Sequence, residues 1–145
     1  MRYKLYITLA IILLCNPVIA HAEEKYICVC ENSVGFKYNA SSRTWENVRF
    51  QADNKYIISK SNEKDCAFKV TGFDQYTEFT CKGGVDDSGF LYCEAIKEGE
   101  FRFNKKNGRF LRTHLLGYIE VTPESCLTDE KTLTPFIEIG VCSPF

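Results

Sequence analysis

Several features that mark common enzyme and nucleic-acid-binding classes are missing from this chain. It has only two histidines, and neither a Gly-x-Ser-x-Gly motif nor a glycine-rich phosphate loop occurs. The paired Cys-x-x-Cys or His spacings of zinc sites are also absent. Neither sign of charge dominates, because 18 basic residues stand against 19 acidic ones. The composition therefore predicts neither a general nucleic-acid binder nor a metal or cofactor site.

The chain also lacks an apolar run long enough to span a bilayer. Its N-terminal run, 6–14, is shorter than the about 20 residues that a spanning helix needs. Basic residues precede this run, and Ala20-His21-Ala22 fits the small-x-small pattern of a signal peptidase site. A lipid anchor on Cys15 is disfavoured because no small residue precedes it. We predict a secretory signal peptide over 1–22 and one exported domain over 23–145, periplasmic or secreted, without a transmembrane segment.

Seven cysteines remain after the predicted cleavage, an odd number for a chain that enters an oxidising compartment. Disulfides are therefore expected, with at least one thiol left over. Cys28 and Cys30 are two apart on one predicted strand, a spacing of about 7 Å that is too wide for a mutual bond. We predict one bridge between Cys81 and Cys93, which flank a turn, and one from Cys142 to Cys28 or Cys30.

The most informative stretch is a predicted β-hairpin around a Lys-Lys-Asn-Gly loop. A two-residue turn would set two cations, Lys106 and Arg109, directly against each other. A four-residue loop sets Phe103 against Phe110 instead. Because like charges destabilise a ladder and aromatic pairs stabilise it, we predict the four-residue loop, with Gly108 in the left-handed conformation.

Further strands are predicted along the whole chain. An earlier hairpin, with a four-residue loop over 39–42, would set Phe36 against Trp45. Short alternating segments continue to the C-terminus, including one over 117–121, with a helical turn near 123–129. Roughly nine to eleven short strands with regular turns predict an all-β, disulfide-braced fold. We predict a small antiparallel barrel, with a β-sandwich as the alternative.

Alternation divides the first and last strands into two faces. One face carries isoleucines and valines, and the other carries cysteines. Because apolar side chains favour the interior, we predict that the isoleucine and valine faces point inward. The cysteines at 28, 30 and 142 would then lie on the outer face and join the chain ends.

The sharpest compositional feature is a basic and aromatic cluster in the Lys-Lys-Asn-Gly hairpin. Five cations lie within eleven residues without an acid, so the rest of the mature chain is acidic by contrast. The cluster predicts a contact surface for an anionic envelope component or an acidic protein. Its members are Phe101, Arg102, Phe103, Lys105, Lys106, Arg109 and Arg112. The competing explanation is a hairpin tip that carries charge in order to resist aggregation.

These observations predict an exported binding module rather than an enzyme. Two alternatives stay open: a hydrolase or thiol enzyme, for which His114 beside a free thiol would be a candidate pair, and a carrier of an apolar ligand inside the barrel. The Asp-Asp-Ser-Gly segment over 86–89 lacks the ligand spacing of a calcium loop and is interpreted as a tight turn. No cofactor, metal or nucleic-acid partner is expected.

Overall fold

The computed structural model describes residues 24–73, 77–115, 118–119 and 134–145. These residues form nine β-strands: β1 (Lys25–Asn39), β2 (Thr44–Phe50), β3 (Lys55–Lys60), β4 (Phe68–Gly72), β5 (Glu78–Cys81), β6 (Phe90–Ala95), β7 (Gly99–Asn104), β8 (Arg109–His114) and β9 (Phe136–Pro144). Every pairing between them is antiparallel.

Eight of the strands form a closed barrel. They follow one another in the order β1–β3–β4–β5–β6–β7–β8–β9, and β9 returns to pair with β1. β2 lies outside this circle and pairs with the second half of β1. The predicted all-β fold is therefore confirmed. The architecture is the barrel rather than the sandwich, because one continuous sheet closes on itself.

A bulge in β1 lies at the point where its partner on one edge changes from β3 to β2. The ladder between β1 and β9 shifts between Cys30 and Asn32. Before this bulge β1 pairs with β3, and after it β1 pairs with β2. At the junction the Cys30 N–H donates to the carbonyl of Asn54, 3.0 Å away, in the connection between β2 and β3. Gly35 is the last β1 residue that pairs with β9, so β1 and β2 extend past the barrel as a two-stranded arm.

The β7–β8 hairpin has the register that the charge argument predicts. Phe103 faces Phe110 across a four-residue loop that ends in Gly108, whose φ is 67°. The Asn104 side chain accepts a hydrogen bond from the Lys106 N–H at 2.9 Å, which organises the loop. The predicted loop and its left-handed glycine are confirmed.

The β1–β2 hairpin has the same turn, one residue later than predicted. Its loop begins after Asn39 instead of at it, so Tyr38 rather than Phe36 faces Trp45. The Asn39 side chain accepts from the N–H two residues further on, at 2.9 Å, as its counterpart in the β7–β8 hairpin does. Arg43 takes the left-handed position with φ of 54°. Non-glycine residues rarely adopt this conformation, so turn propensity gave no signal for the correct register.

Aromatic rings fill the barrel interior. Phe101 and Phe110 are stacked with ring centroids 5.0 Å apart, and Tyr56 packs edge-on against Phe101 at 5.3 Å. The buried apolar cluster comprises Tyr26, Cys28, Cys30, Tyr56, Ile58, Phe68, Val70, Phe79, Cys81, Leu91, Cys93, Phe101, Phe103, Phe110 and Cys142. The bulky side chains come mainly from β3 to β8, whereas the inner positions of β1 and β9, apart from Tyr26 and Glu138, carry mostly small side chains.

The predicted orientation of the first and last strands is wrong. Val29 and Ile139 are 41% and 46% exposed, whereas Cys28, Cys30 and Cys142 are buried. The physical reason is space: an interior already occupied by aromatic rings accepts small side chains on the strands that close it. Cysteine is also among the residue types that are buried most often.

The turn over 86–89 is confirmed. The Asp86 carbonyl accepts a hydrogen bond from the Gly89 N–H at 2.8 Å. Its carboxylate accepts a second one from the Phe90 N–H, also at 2.8 Å. The carboxylate is thus used to close the turn that joins the β5 side of the barrel to β6.

Some predicted elements fall on residues outside the described ranges. These are the signal peptide over 1–22, the helical turn near 123–129 and most of the strand over 117–121; within the last, Tyr118 and Ile119 have helical backbone. The domain boundary at residue 23 stays a prediction. Within the described ranges, no helix has the length and apolar character needed to cross a membrane.

Candidate functional site

Two disulfides brace the barrel. Cys28 and Cys142 are ladder partners on β1 and β9, with Cα atoms 3.9 Å apart. Cys81 and Cys93 join β5 to β6, with Cα atoms 4.1 Å apart. Of the two predicted candidates for Cys142, the structure selects Cys28, because Cys30 lies opposite a glycine of β9.

Two further cysteines in the described residues, Cys30 and Cys66, are free and buried. Burial, and after it the nearby Glu138 carboxylate, raise the pKa of the Cys30 thiol to about 11. The Cys30 thiol donates to the Asn32 carbonyl at 3.3 Å, and the Cys66 thiol donates to the Phe68 carbonyl at 3.0 Å. Because the thiolate is the nucleophile, a buried Cys30 with a raised pKa is poorly suited to covalent catalysis.

The predicted basic and aromatic contact surface is divided by the sheet. Phe101, Phe103 and Arg112 are 0%, 1% and 3% exposed and point into the barrel, so they cannot belong to an outer surface. Arg102, Lys105, Lys106 and Arg109 remain outside. The correction follows from strand alternation, since Arg112 shares the inward face of β8 with Phe110 and His114.

The cations at the β7–β8 tip have partners within the domain. Lys105 Nζ lies 2.6 Å from the Glu24 carboxylate, and Lys106 Nζ donates to the Asp87 carbonyl at 2.8 Å. The hydrogen bond from Lys105 lowers the pKa of Glu24, and the same contact raises the pKa of Lys105. These contacts tie the tip to the start of β1 and to the turn over 86–89, as expected if part of its charge is structural.

Inside the barrel, Arg112 is the centre of a polar network. Its Nη1 donates to the Tyr56 hydroxyl at 2.7 Å, and its Nη2 contacts Glu98 at 3.0 Å. The Tyr56 hydroxyl donates to Glu138 at 2.5 Å, and the Asn54 side chain also donates to that carboxylate. Burial raises the pKa of Tyr56 and keeps the hydroxyl protonated. The network surrounds two buried charges, Arg112 and Glu138, with hydrogen-bond donors and acceptors.

His114 has a structural environment. Its Nε2 lies 2.9 Å from the Lys97 carbonyl, and its Nδ1 lies 3.4 Å from the Thr134 carbonyl. The ring also stacks on Phe136 with a centroid separation of 5.5 Å. Among the residues that the structure describes, no three His, Cys, Asp or Glu side chains are grouped to hold a metal ion.

The outer face of β8, β9 and β1 carries a continuous group of exposed apolar side chains, which we call the apolar strip. Ladder pairing places its members side by side: Val29 with Val141, Val34 with Ile137, and Leu111 with Ile139. All six are between 37% and 46% exposed. Phe36, 51% exposed on the arm, continues the strip past the barrel. Single exposed apolar residues are ordinary, whereas contiguous apolar patches are a typical feature of interaction sites, which makes the strip the candidate site.

Cations flank the apolar strip on both sides. Towards β2 and β3, Arg49 pairs with Val34 and Lys55 pairs with Val29. Towards β7 and β8, Arg109 pairs with Val141, and Arg102 pairs with Leu111. Side chains directly opposite each other on a ladder share one face of the sheet, so these four cations border the strip. Arg102 is partly neutralised by Glu100 at 2.6 Å.

Two grooves lie on a different part of the outer surface, over the junction of β5 with β6 and β7. Their volumes are about 710 and 490 Å³. Both are lined by Thr80, Lys82, Glu94 and Glu100. Lys82, directly after β5, and Glu94 on β6 form an ion pair at 2.6 Å. The groove charges are thus largely paired with each other.

Sequence reasoning missed the apolar strip because it placed the same isoleucines and valines inside. The signal that could have found it is the pair of cysteines on β1 and β9, since bonded cysteines are usually buried. No protein family, curated protein or solved structure matches this chain. Its function must therefore be argued from its own residues.

Proposed function

We propose that the mature protein is an exported, non-enzymatic binding module that captures a protein partner on the apolar strip. The observation that carries this proposal is the strip itself: six apolar side chains, adjacent on three strands, each more than a third exposed. Keeping such a patch in water is unfavourable by roughly 25 cal/mol per Å² of apolar surface. A partner that covers the strip recovers this free energy.

The filled interior favours the outer surface as the binding site. The Phe101–Phe110 stack and Tyr56 occupy the centre, and Tyr26 packs on Phe103 with a centroid separation of 4.9 Å. A carrier of an apolar ligand needs an open barrel instead. The exterior is therefore the better candidate for the contact.

The flanking cations specify the chemistry of the partner. Arg49 and Lys55 border one side of the strip, and Arg102 and Arg109 border the other. The matching surface is apolar at its centre and acidic at its rim. Complementary charge mainly increases the association rate and selects among partners, while the apolar centre supplies affinity. We accordingly favour an acidic protein of the envelope or the external medium.

The disulfides are consistent with this location. Cys28–Cys142 and Cys81–Cys93 indicate an oxidising environment. Export through a signal peptide cleaved after Ala22, to the periplasm or beyond the cell, completes the proposal. The remaining outward part of the predicted basic cluster, Arg102, Lys105, Lys106 and Arg109, then acts at the rim rather than as the centre of the contact.

The proposal is tested with oxidised residues 23–145 immobilised as bait for native envelope and culture-medium proteins. Ile139→Glu introduces a charge at the centre of the strip, and Ile96→Glu introduces the same charge at a turn where the side chain is 95% exposed. We expect the wild type and Ile96→Glu to retain the same acidic protein. Ile139→Glu should weaken that binding at least about 30-fold, the loss of about 2 kcal/mol typical of a central contact.

A rim variant separates charge from apolar contact. Arg109→Glu should slow association about 10-fold at low salt, and the difference should shrink as salt screens the charges. All variants should keep the thermal unfolding midpoint of the wild type. Unchanged binding by Ile139→Glu refutes the proposal, and so does binding to anionic lipid vesicles in place of any protein.

A further inference from the structure

The outer edge of β2 is open in the described part of the chain. β2 pairs with β1 on one side and lies outside the closed barrel. Beyond Gly35 the ladder between β1 and β9 ends, so among the described strands the arm is a two-stranded ribbon. Two-stranded ribbons are only marginally stable in water, and an unpaired edge is a template for a further strand.

The direction of the free backbone groups follows from one hydrogen bond. The Phe36 N–H donates to the Pro135 carbonyl at 3.0 Å, on the β9 side of β1. Phe36 and its ladder partner Asn47 are therefore a non-hydrogen-bonded pair within the arm. Alternation then directs the N–H and C=O groups of Trp45, Asn47 and Arg49 away from β1, towards the open edge.

These three residues are complementary to themselves in an antiparallel arrangement. With a two-fold axis between the two strands at Asn47, Asn47 faces Asn47 of the second copy. Trp45 of each copy then faces Arg49 of the other. Each facing pair has its backbone groups directed at the other strand, as a hydrogen-bonded pair requires. The guanidinium of Arg49 would lie beside the Trp45 indole, a favourable cation–π arrangement. A shift by two residues either way separates Trp45 from Arg49 and shortens the ladder.

The Trp45 ring is already positioned for this contact. It packs against Tyr38 at 5.5 Å and against Tyr118 at 5.4 Å between ring centroids. Less conformational freedom is then lost when a second strand arrives. Glu46 would face Val48, so no like charges oppose each other along the new ladder.

From these observations we infer that the open edge of β2 pairs with β2 of a second copy of this chain, in the register centred on Asn47. The two-fold axis is perpendicular to the sheet, so the outward faces of both copies lie on the same side. The two apolar strips then belong to one extended surface, joined across the paired arms. This inference concerns a different edge from the proposed partner site and stands independently of it.

A proline tests the open edge without touching the barrel. Asn47→Pro removes an N–H that points away from β1, so the ladder within the arm is kept. Asn47→Ala retains the N–H and is the matched control. In sedimentation equilibrium of oxidised residues 23–145, we expect a dimer for the wild type and Asn47→Ala. We expect at least a 10-fold weaker dimer for Asn47→Pro, with Ile139→Glu remaining dimeric.

The register is tested by cross-linking. Asn47→Cys should form an intermolecular bridge under mild oxidation, because facing hydrogen-bonded residues have Cα atoms about 5.5 Å apart. Mass spectrometry should find the bridged peptide that contains position 47 of both copies. Ser41→Cys, in the hairpin loop, should give no such bridge. A monomeric wild type overturns the inference. Amide exchange of Trp45, Asn47 and Arg49 then says whether the edge is open to solvent, where exchange is fast, or covered by another segment of the same chain, where exchange is slow.

Discussion

Arg112 lies opposite Glu138 on the inner face of the barrel, with its Nη1 3.7 Å from Oε2 and side chains 3% and 2% exposed. Burying two charges is costly. Their mutual attraction offsets this cost only when further hydrogen bonds satisfy the remaining donors and acceptors of both groups. Tyr56 supplies such a bond to each of them. Arg112 Nε is nevertheless buried without a hydrogen-bond partner among the described residues.

Removal of one of these two charges should therefore destabilise the protein more than removal of both. Arg112→Leu leaves Glu138 buried without its cation and should lower the free energy of unfolding by about 3–5 kcal/mol. Arg112→Leu with Glu138→Leu should recover about 2 kcal/mol or more of that loss. The measurement is a double-mutant cycle from urea denaturation at pH 7. Additive losses would show that the two side chains do not stabilise each other.

Loss of the two disulfides should have different effects on local unfolding. Cys81–Cys93 spans a junction where β5 and β6 share one ladder pair, Thr80 with Glu94. Replacement of both cysteines by serine should lower stability by about 3 kcal/mol and open this junction locally. Hydrogen exchange should show faster amide exchange in β5 and β6 than in β7 and β8.

The disulfide between the chain ends should act globally. Cys28 and Cys142 are separated by 114 residues and join strands with an extensive ladder. Replacement of both by serine should cost about 4–5 kcal/mol through the entropy of the unfolded chain, without a local opening between β1 and β9. Equal exchange patterns in the two double variants would contradict this distinction.

The buried thiol of Cys30 gives a pH dependence. Its pKa is about 11 in the folded state, whereas an unfolded cysteine has a pKa of about 8.5. The unfolded state thus loses this proton first, so the contribution of Cys30 to stability should be fully present below about pH 8.5 and should be lost as the pH rises towards 11. We expect Cys30→Ala to have a shallower decline over this interval in urea denaturation. Alkylation of Cys30 at pH 8.5 should be slow in the native protein and fast in urea, and rapid native alkylation would contradict the burial argument.

Gly140 permits the close approach of β9 to β1. A Cβ at this position would meet the Val29 carbonyl and would lie 2.6 Å from the Phe110 ring. Gly140→Ala should therefore lower the free energy of unfolding by about 1–3 kcal/mol, measured by urea denaturation. Gly84→Ala is the matched control, because its Cβ meets nothing within 4 Å. That variant should stay within about 0.5 kcal/mol of the wild type.

Local chemistry was sufficient for the parts of this protein that depend on neighbouring residues. The all-β class follows from period-two alternation, and the β7–β8 register follows from like charges and the glycine at the end of its loop. The β1–β2 register was wrong by one residue at the loop because Arg43 occupies a position that favours glycine. Turn preference is a weak guide where the closing residue breaks the usual rule.

The sequence by itself determined that the chain forms short antiparallel strands, which residues share a face, and where bridges between cysteines are sterically possible. Only the tertiary structure decided which face is inside. Alternation defines the two faces of a strand but does not say which face points into the barrel. That choice depends on how much of the interior the side chains of the other strands already fill. Here aromatic rings from β3 to β8 fill the centre, so β1 and β9 turn their cysteines and Gly140 inward and expose Val29, Ile139 and their neighbours. The same closure places Arg112 and Glu138 inside and creates the apolar strip outside.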